Sequence, residues 1–191
     1  MFQDEDLHYR ALLPLAEAER EGGEVTCLRE LAAGGAELVP TWVVPAWVED
    51  EFYRLNNLPG QLDRLFAGIW GARVDEEKLA VAAERARALI GQSYLLAERG
   101  EGFVSALPAG RYTLRRPGSL ELFPGANPQE ALWALKRLWA ARWSLEAVME
   151  RGPGLPEPEA VLVQADAGEP VWDEARGLYT AGGRVFACAL R

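Results

Sequence analysis

The stretch from Gly22 to Val44, GGEVTCLRELAAGGAELVPTWVV, decides how the first part of the chain is read. A Gly-Gly turn that opens a helix leaves backbone N–H groups free to face an anion, and the helix dipole adds positive potential at the same place. The next residue is Glu24, whose carboxylate suits a helix N-terminus by taking up that potential itself. Val25, Leu28 and Leu31 repeat at three-residue steps, and Gly34-Gly35 stops the helix with residues that tolerate left-handed backbone. Val39 to Val44 then reads as a buried strand.

Outward from this unit the expected elements continue in order. Pro45 fits the first turn of a second helix carrying Val48, Phe52 and Leu55 on one face, closed by Asn56-Asn57. A shorter helical piece follows over Pro59 to Ile69. Asp75 is a good N-cap for a helix whose face is Leu79, Ala82, Ala83, Ala86, Leu89 and Ile90. From Ser93 to Phe123 the runs YLLA, FVSAL, RYTLRR and LELF, parted by Gly and Pro, predict an antiparallel meander. Asn127-Pro128-Gln129-Glu130 places a cap, a first-turn proline and a box-forming glutamate before one long helix ending near Arg151, with Leu135, Leu138, Trp139, Leu145 and Met149 facing its core. RGPGLPEPE reads as a stiff hinge before a final β unit built from AVLVQ, GLYT and RVFACAL. The expected fold class is α+β. A helical and meander lobe over 1–151 carries a C-terminal β unit over 152–191 on the same single body.

Composition bounds the function. The chain has 191 residues, a net charge of −9 and 49% hydrophobic content, enough to bury a core as one domain and acidic enough to argue against general nucleic-acid binding, with room left for a local basic patch. No apolar run is long enough to span a membrane, and MFQDEDLHYR lacks the apolar core of an export signal, so a cytoplasmic protein is expected. Lys78 and Lys136 are the two lysines among twenty basic residues, which leaves few candidates for a lysine that grips phosphate. Cys27 and Cys188 lie far apart and form no ligand cluster, and the expectation is two reduced thiols with no metal site. His8 is the single histidine and sits near the chain end, so no catalytic triad is expected. Glu49, Asp50 and Glu51 read as a solvated helix start, and Glu157 and Glu159 as hinge residues. No catalytic residue stands out.

Several strings resemble the N-terminal nucleotide-binding domain of the phosphoenolpyruvate synthase and pyruvate phosphate dikinase family, an ATP-grasp fold. The family's Gly-Gly-Lys-Gly opening matches Gly22, Gly23, Glu24 and Val25, with Leu28 after it. Its Pro-bearing turn and Gly-Phe-Val-Val-Thr strand match Pro40 and Thr41-Trp42-Val43-Val44-Pro45, and its Asn-Gly-Leu matches Asn56-Asn57-Leu58. WALKRLWAARWSLEAVMER is similar to the family's Cys-Trp-Ala-Ser helix, with Trp139-Ala140-Ala141 on that core. VLVQADAGEPVW is similar to its Val-Val-Gln strand, with Gln164 on the glutamine.

The resemblance implies an ATP-grasp-like lobe whose nucleotide cleft would be marked by Gly22, Gly23, Glu24 and Gln164, with Arg99 or Arg111 near the place of the family's arginine. Glu24 stands where the family has its phosphate-contacting lysine, which replaces attraction of a nucleotide by repulsion. The Arg-Ser-Ser-Ala element is absent between Gly91 and Asn127, and the sequence reaches Arg191 before the family's acidic magnesium ligands and phosphotransfer histidine. These departures imply a non-catalytic pseudo-domain that works as a binding or regulatory module, without a cofactor. The alternatives are an ATP-binding subunit of a split phosphotransferase, using Mg-ATP and completed by another chain, and a small-molecule sensor in the old cleft. The expected partner is a protein or a second copy, with neither nucleic acid nor membrane involved. Seven tryptophans supply anchors for such a contact, Trp47 and Trp133 being the candidates for its surface.

Overall fold

The computed structural model describes residues 10–189. The expectation of an idle His8 lies outside the described residues. The first elements follow the sequence closely. A two-residue strand β1 (Leu13–Pro14) leads through a short 3-10 turn to helix α1 (Glu24–Ala33), strand β2 (Thr41–Val44) and helix α2 (Ala46–Leu55). Gly35, at φ +87°, closes α1 by letting the Ala36 N–H return to the Leu31 carbonyl at 2.9 Å, which supplies a partner to a carbonyl the helix end leaves open. Helices α3 (Leu58–Phe66) and α4 (Glu76–Gln92) come next. As expected, Asp75 caps α4, its carboxylate accepting from the Lys78 N–H at 3.1 Å.

The meander expected from Ser93 onward is corrected. Tyr94 to Leu96 of YLLA are irregular, and Phe103 to Ala106 of FVSAL lie in helix α5 (Ala97–Ala106). Phe103 is wholly buried in the core, while Gly100, which reads as a breaker, sits at a helix crossing: a Cβ there would be 3.3 Å from Leu132 Cδ2. Packing overrides the weak helix preference of Gly and Val. Strands β3 (Tyr112–Arg115) and β4 (Phe123–Gly125) follow, then helix α6 (Pro128–Ala141). Asn127 Oδ1 accepts from the Glu130 N–H at 2.9 Å, and the Glu130 carboxylate reaches back to the Ala126 N–H at 3.0 Å. A Cβ on Gly125 would lie 2.5 Å from the Ala131 N, so only glycine lets β4 approach the start of α6 this closely.

The single long helix is corrected to two, α6 and α7 (Leu145–Arg151). Ser144 between them caps α7 by accepting from the Ala147 N–H at 3.2 Å. The break rotates the faces, leaving Leu145 and Met149 exposed and burying Trp143 and Val148.

Strand β5 (Val161–Ala165), expected in a separate final unit, instead lies at the centre of a five-stranded antiparallel sheet of order β1-β2-β5-β3-β4. Its run of apolar residues is that of a strand covered on both faces. On one face Val44, Tyr112, Leu114, Val161 and Val163 join the main core with Phe52, Leu135 and Trp139 from the helices. On the other, Val43 and Leu162 meet Val25 and Leu28 of α1. A second antiparallel sheet, β6 (Val171–Asp173), β7 (Leu178–Ala181) and β8 (Arg184–Ala187), closes this side. Val185 ties it down through backbone bonds with Glu37 and Val39, each 2.9 Å. The α+β class holds, with helices on one side of the main sheet and α1 with the small sheet on the other. No helix among the described residues is long and apolar enough to cross a membrane.

Candidate functional site

Period-two alternation in the strands puts Thr41, Arg115 and Gln164 on the sheet face that looks toward α1, with Thr41 and Gln164 directly paired across β2 and β5. Glu24, the first residue of α1, points its carboxylate into the same space. Gly23 before it has φ +58°, a conformation that favours glycine and sets the entry of the chain into the helix.

The Glu24 carboxylate receives four donors. Arg115 Nη1 and Nη2 each donate at 2.8 Å in a two-pronged pair, the Gly118 N–H donates at 2.6 Å and the Cys188 N–H at 3.0 Å. The Arg115 side chain has no exposed surface and that of Glu24 is 6% exposed. The remaining guanidinium N–H groups are also used: Nε donates to Gln164 Oε1 at 2.8 Å, Nη2 to the Phe186 carbonyl at 3.0 Å and Nη1 to the Ser119 carbonyl at 3.4 Å. Gln164 Nε2 in turn donates to Thr41 Oγ1 at 3.1 Å and to the Phe186 carbonyl at 2.8 Å, and Thr41 Oγ1 donates to the Val39 carbonyl at 2.7 Å. Arg115 also lies 5.0 Å over the Phe186 ring. All five guanidinium donors and both amide donors of Gln164 are thus engaged, the condition under which a buried ion pair is tolerated.

Beside this cluster runs an open cleft of ≈ 720 Å³, walled by the Glu24 carboxylate, Leu31, Pro117, Leu178 and the Cys27–Cys188 pair. Its single lining arginine, Arg176, faces Asp173 at 3.6 Å. Walls of this kind offer little to an anionic ligand. The expected pair of reduced thiols is corrected: Cys27 and Cys188 form a disulfide across 161 residues. The small sheet brings the end of β8 against α1, a proximity that sequence distance conceals.

The other expected site residues lie elsewhere. Arg99 makes a two-pronged pair with Glu51 at 2.9 and 3.1 Å and stacks 5.0 Å over Trp47, in the helical layer. Arg111 sits at the exposed start of β3, 3.3 Å from Asp166. Trp47 is half-buried under Arg99 against the main core, whereas Trp133 on α6 is 54% exposed. Of the expected residues Glu24 and Gln164 meet on the guanidinium of Arg115, with Gly23 immediately before Glu24. The signal of Arg115 in the sequence was a polar residue alternating with Tyr112 and Leu114 in RYTLRR. Thr41 and Cys188 were missed as well.

A second buried pair corrects the reading of Glu49 as solvated. Arg142, from the break between α6 and α7, donates through Nη1 to both Glu49 oxygens at 2.7 Å and through Nη2 to the Glu157 carbonyl at 2.6 Å. The Glu159 N–H completes the set on Glu49 at 3.0 Å. Burial pushes the Glu49 carboxyl above its ordinary value, an effect that Arg142 and the Glu159 N–H partly offset. Trp143 Nε1 donates to the Tyr53 hydroxyl at 2.7 Å close by, and burial raises the Tyr53 phenol too. This pair anchors α2 to the hinge segment. Among the described residues no three His, Cys, Asp or Glu side chains are placed to hold a metal ion.

No known family matches this sequence, and no curated protein matches it either.

Proposed function

We propose that this chain is a phosphoenolpyruvate synthase-like, ATP-grasp-like domain that no longer catalyses and works as a binding or regulatory module. The observation that supports the reading is the Glu24 carboxylate at the N-terminus of α1, paired with Arg115 and held by the Gly118 and Cys188 N–H groups. A negative charge already occupies the place where a helix start and an arginine would receive a phosphate. An incoming phosphate would have to break this set of bonds and would meet a like charge in a poorly solvated site. Arg115 and Gln164 have no spare donor to offer it.

The deciding experiment is a thermal-shift titration with Mg-ATP, because a ligand that binds only the native state raises the melting temperature by mass action. No shift is expected up to millimolar nucleotide. A saturable upward shift overturns the proposal in favour of a nucleotide-binding subunit. We place the protein in the cytoplasm; the disulfide suits such a setting in cells that keep intracellular disulfides, as hyperthermophiles do.

A further inference from the structure

We infer that the Cys27–Cys188 disulfide is a thiol-exchange site: a dithiol entering the cleft beside Glu24 opens it, the reverse exchange recloses it, and its state sets how firmly the end of β8 is held over the Glu24–Arg115 pair. The inference rests on the reading of the chain as an intracellular regulatory module and names what regulates it. In such a setting a disulfide is either kept closed or traded with the thiol pool. Its accessibility to a thiolate bears on which of these it does.

Both cysteines line the open cleft of ≈ 720 Å³, a volume that admits a small dithiol. Cys27, in the first turn of α1, is partly exposed, whereas Cys188 is 7% exposed, so the Cys27 sulfur is the one attacked. The dithiol's thiolate bonds to Cys27 Sγ, and Cys188 leaves as a thiolate. The second sulfur of the dithiol then attacks the first, closing the reagent's own disulfide and expelling Cys27 as a thiolate. A pair of electrons passes to the protein's disulfide, and the two protons that the dithiol gives up end on Cys27 and Cys188. A disulfide-bearing oxidant runs the same steps backwards.

What reduction releases is short. Up to Ala187, strand β8 has holds that need no disulfide: pairing with β7, the backbone bonds of Val185 to Glu37 and Val39, and the Phe186 carbonyl that accepts from both Arg115 and Gln164. Cys188 itself has, besides the disulfide, one hydrogen bond among the described residues, from its N–H to Glu24 at 3.0 Å. Reduction therefore leaves the sheet standing and that bond in place on average, yet lets residue 188 open locally. Each opening takes one of the four donors from Glu24 and admits water to the buried pair from the cleft side.

The test reduces the oxidised full chain with dithiothreitol in native buffer and counts thiols by quenched alkylation and mass. The rate is expected to be first order in dithiothreitol and to change less than about twofold with urea below the unfolding transition, because attack through the cleft exposes little new surface. A rate that levels off with dithiothreitol, or climbs with urea as steeply as global unfolding does, overturns the inference, since the bond is then reached only in the unfolded chain. In the reduced native protein Cys188 should react with iodoacetamide within about tenfold of the rate of Cys27, again without a steep urea dependence. A Cys188 that stays unreactive while Cys27 is modified overturns the inference too, because the end of β8 then does not open. Cys27→Ser reads the same release without any reductant, and a Cys188 protected in that variant counts equally against it. Oxidised glutathione should reclose the bond within the chain; a protein that stays reduced or glutathione-linked is not an exchange site. Each of these failures leaves the nucleotide-silent reading untouched, just as a Mg-ATP shift would leave the exchange.

Discussion

Removing the Cys27–Cys188 disulfide should be among the most damaging changes that leave the core composition intact. The bond closes a loop across 161 residues, and in the chain-entropy description a cross-link of this span restricts the unfolded chain by about 5 kcal/mol at 25 °C. Native contacts at the two sites survive in Cys27→Ser/Cys188→Ser, because the bond from the residue 188 N–H to Glu24 is a backbone bond, so the loss lies chiefly in the unfolded state. An unfolding entropy of roughly 0.4 kcal/mol/K for a chain of this size turns it into a fall of about 13 °C in the melting temperature. The assay pairs thermal melting of the oxidised, reduced and doubly substituted proteins with thiol titration after denaturation without reductant. The oxidised protein should yield no thiol, and the reduced and substituted forms should melt together. Two thiols in the unreduced protein, or a fall of less than about 2 °C, would refute the reasoning.

Trp139 is fully buried and packs on Phe52 with ring centroids 4.8 Å apart, so Trp139→Ala should cost about 3–5 kcal/mol in urea unfolding; a cost below about 1 kcal/mol would mean that the cavity closes freely. Arg115→Met leaves Glu24 buried without its cation and should destabilise by about 3–5 kcal/mol, whereas Glu24→Gln together with Arg115→Met should recover much of that loss; equal losses in the single and double variants would show that the ion pair is not the unit of stability. Glu49 titrates above its ordinary value near 4.5 in the folded protein, so the folded state holds this proton more tightly than the unfolded one. The associated stability is present below the ordinary value and is lost as pH rises through the raised one. The stability of the wild type relative to Glu49→Gln should therefore fall as pH rises through that window, measured by urea unfolding at a series of pH values, and a rise would mean that the attraction of Arg142 outweighs burial.

What the sequence by itself determined is local. Asp75 and Asn127 cap their helices through bonds to N–H groups three residues on, and Gly34-Gly35 ends α1 within a few residues of its last turn. The backbone conformations involved are set by neighbours in the chain, so reading along it suffices. The α+β class was legible in the same way, whereas Gly22, Gly23, Glu24 and Gln164 were grouped only by the family resemblance. Tertiary structure decided the rest. FVSAL has the composition of a strand and becomes helix because α6 buries Phe103 and accommodates Gly100. AVLVQ follows a hinge yet takes the middle of the main sheet, where both of its faces are covered. The partners that define the two buried clusters lie 91 and 93 residues apart, Arg115 to Glu24 and Arg142 to Glu49, and the disulfide spans still more. An isolated Glu or Arg in a sequence looks solvated because charge is costly to bury. Only the fold, by bringing donors to all its acceptors at one point, makes burial tolerable.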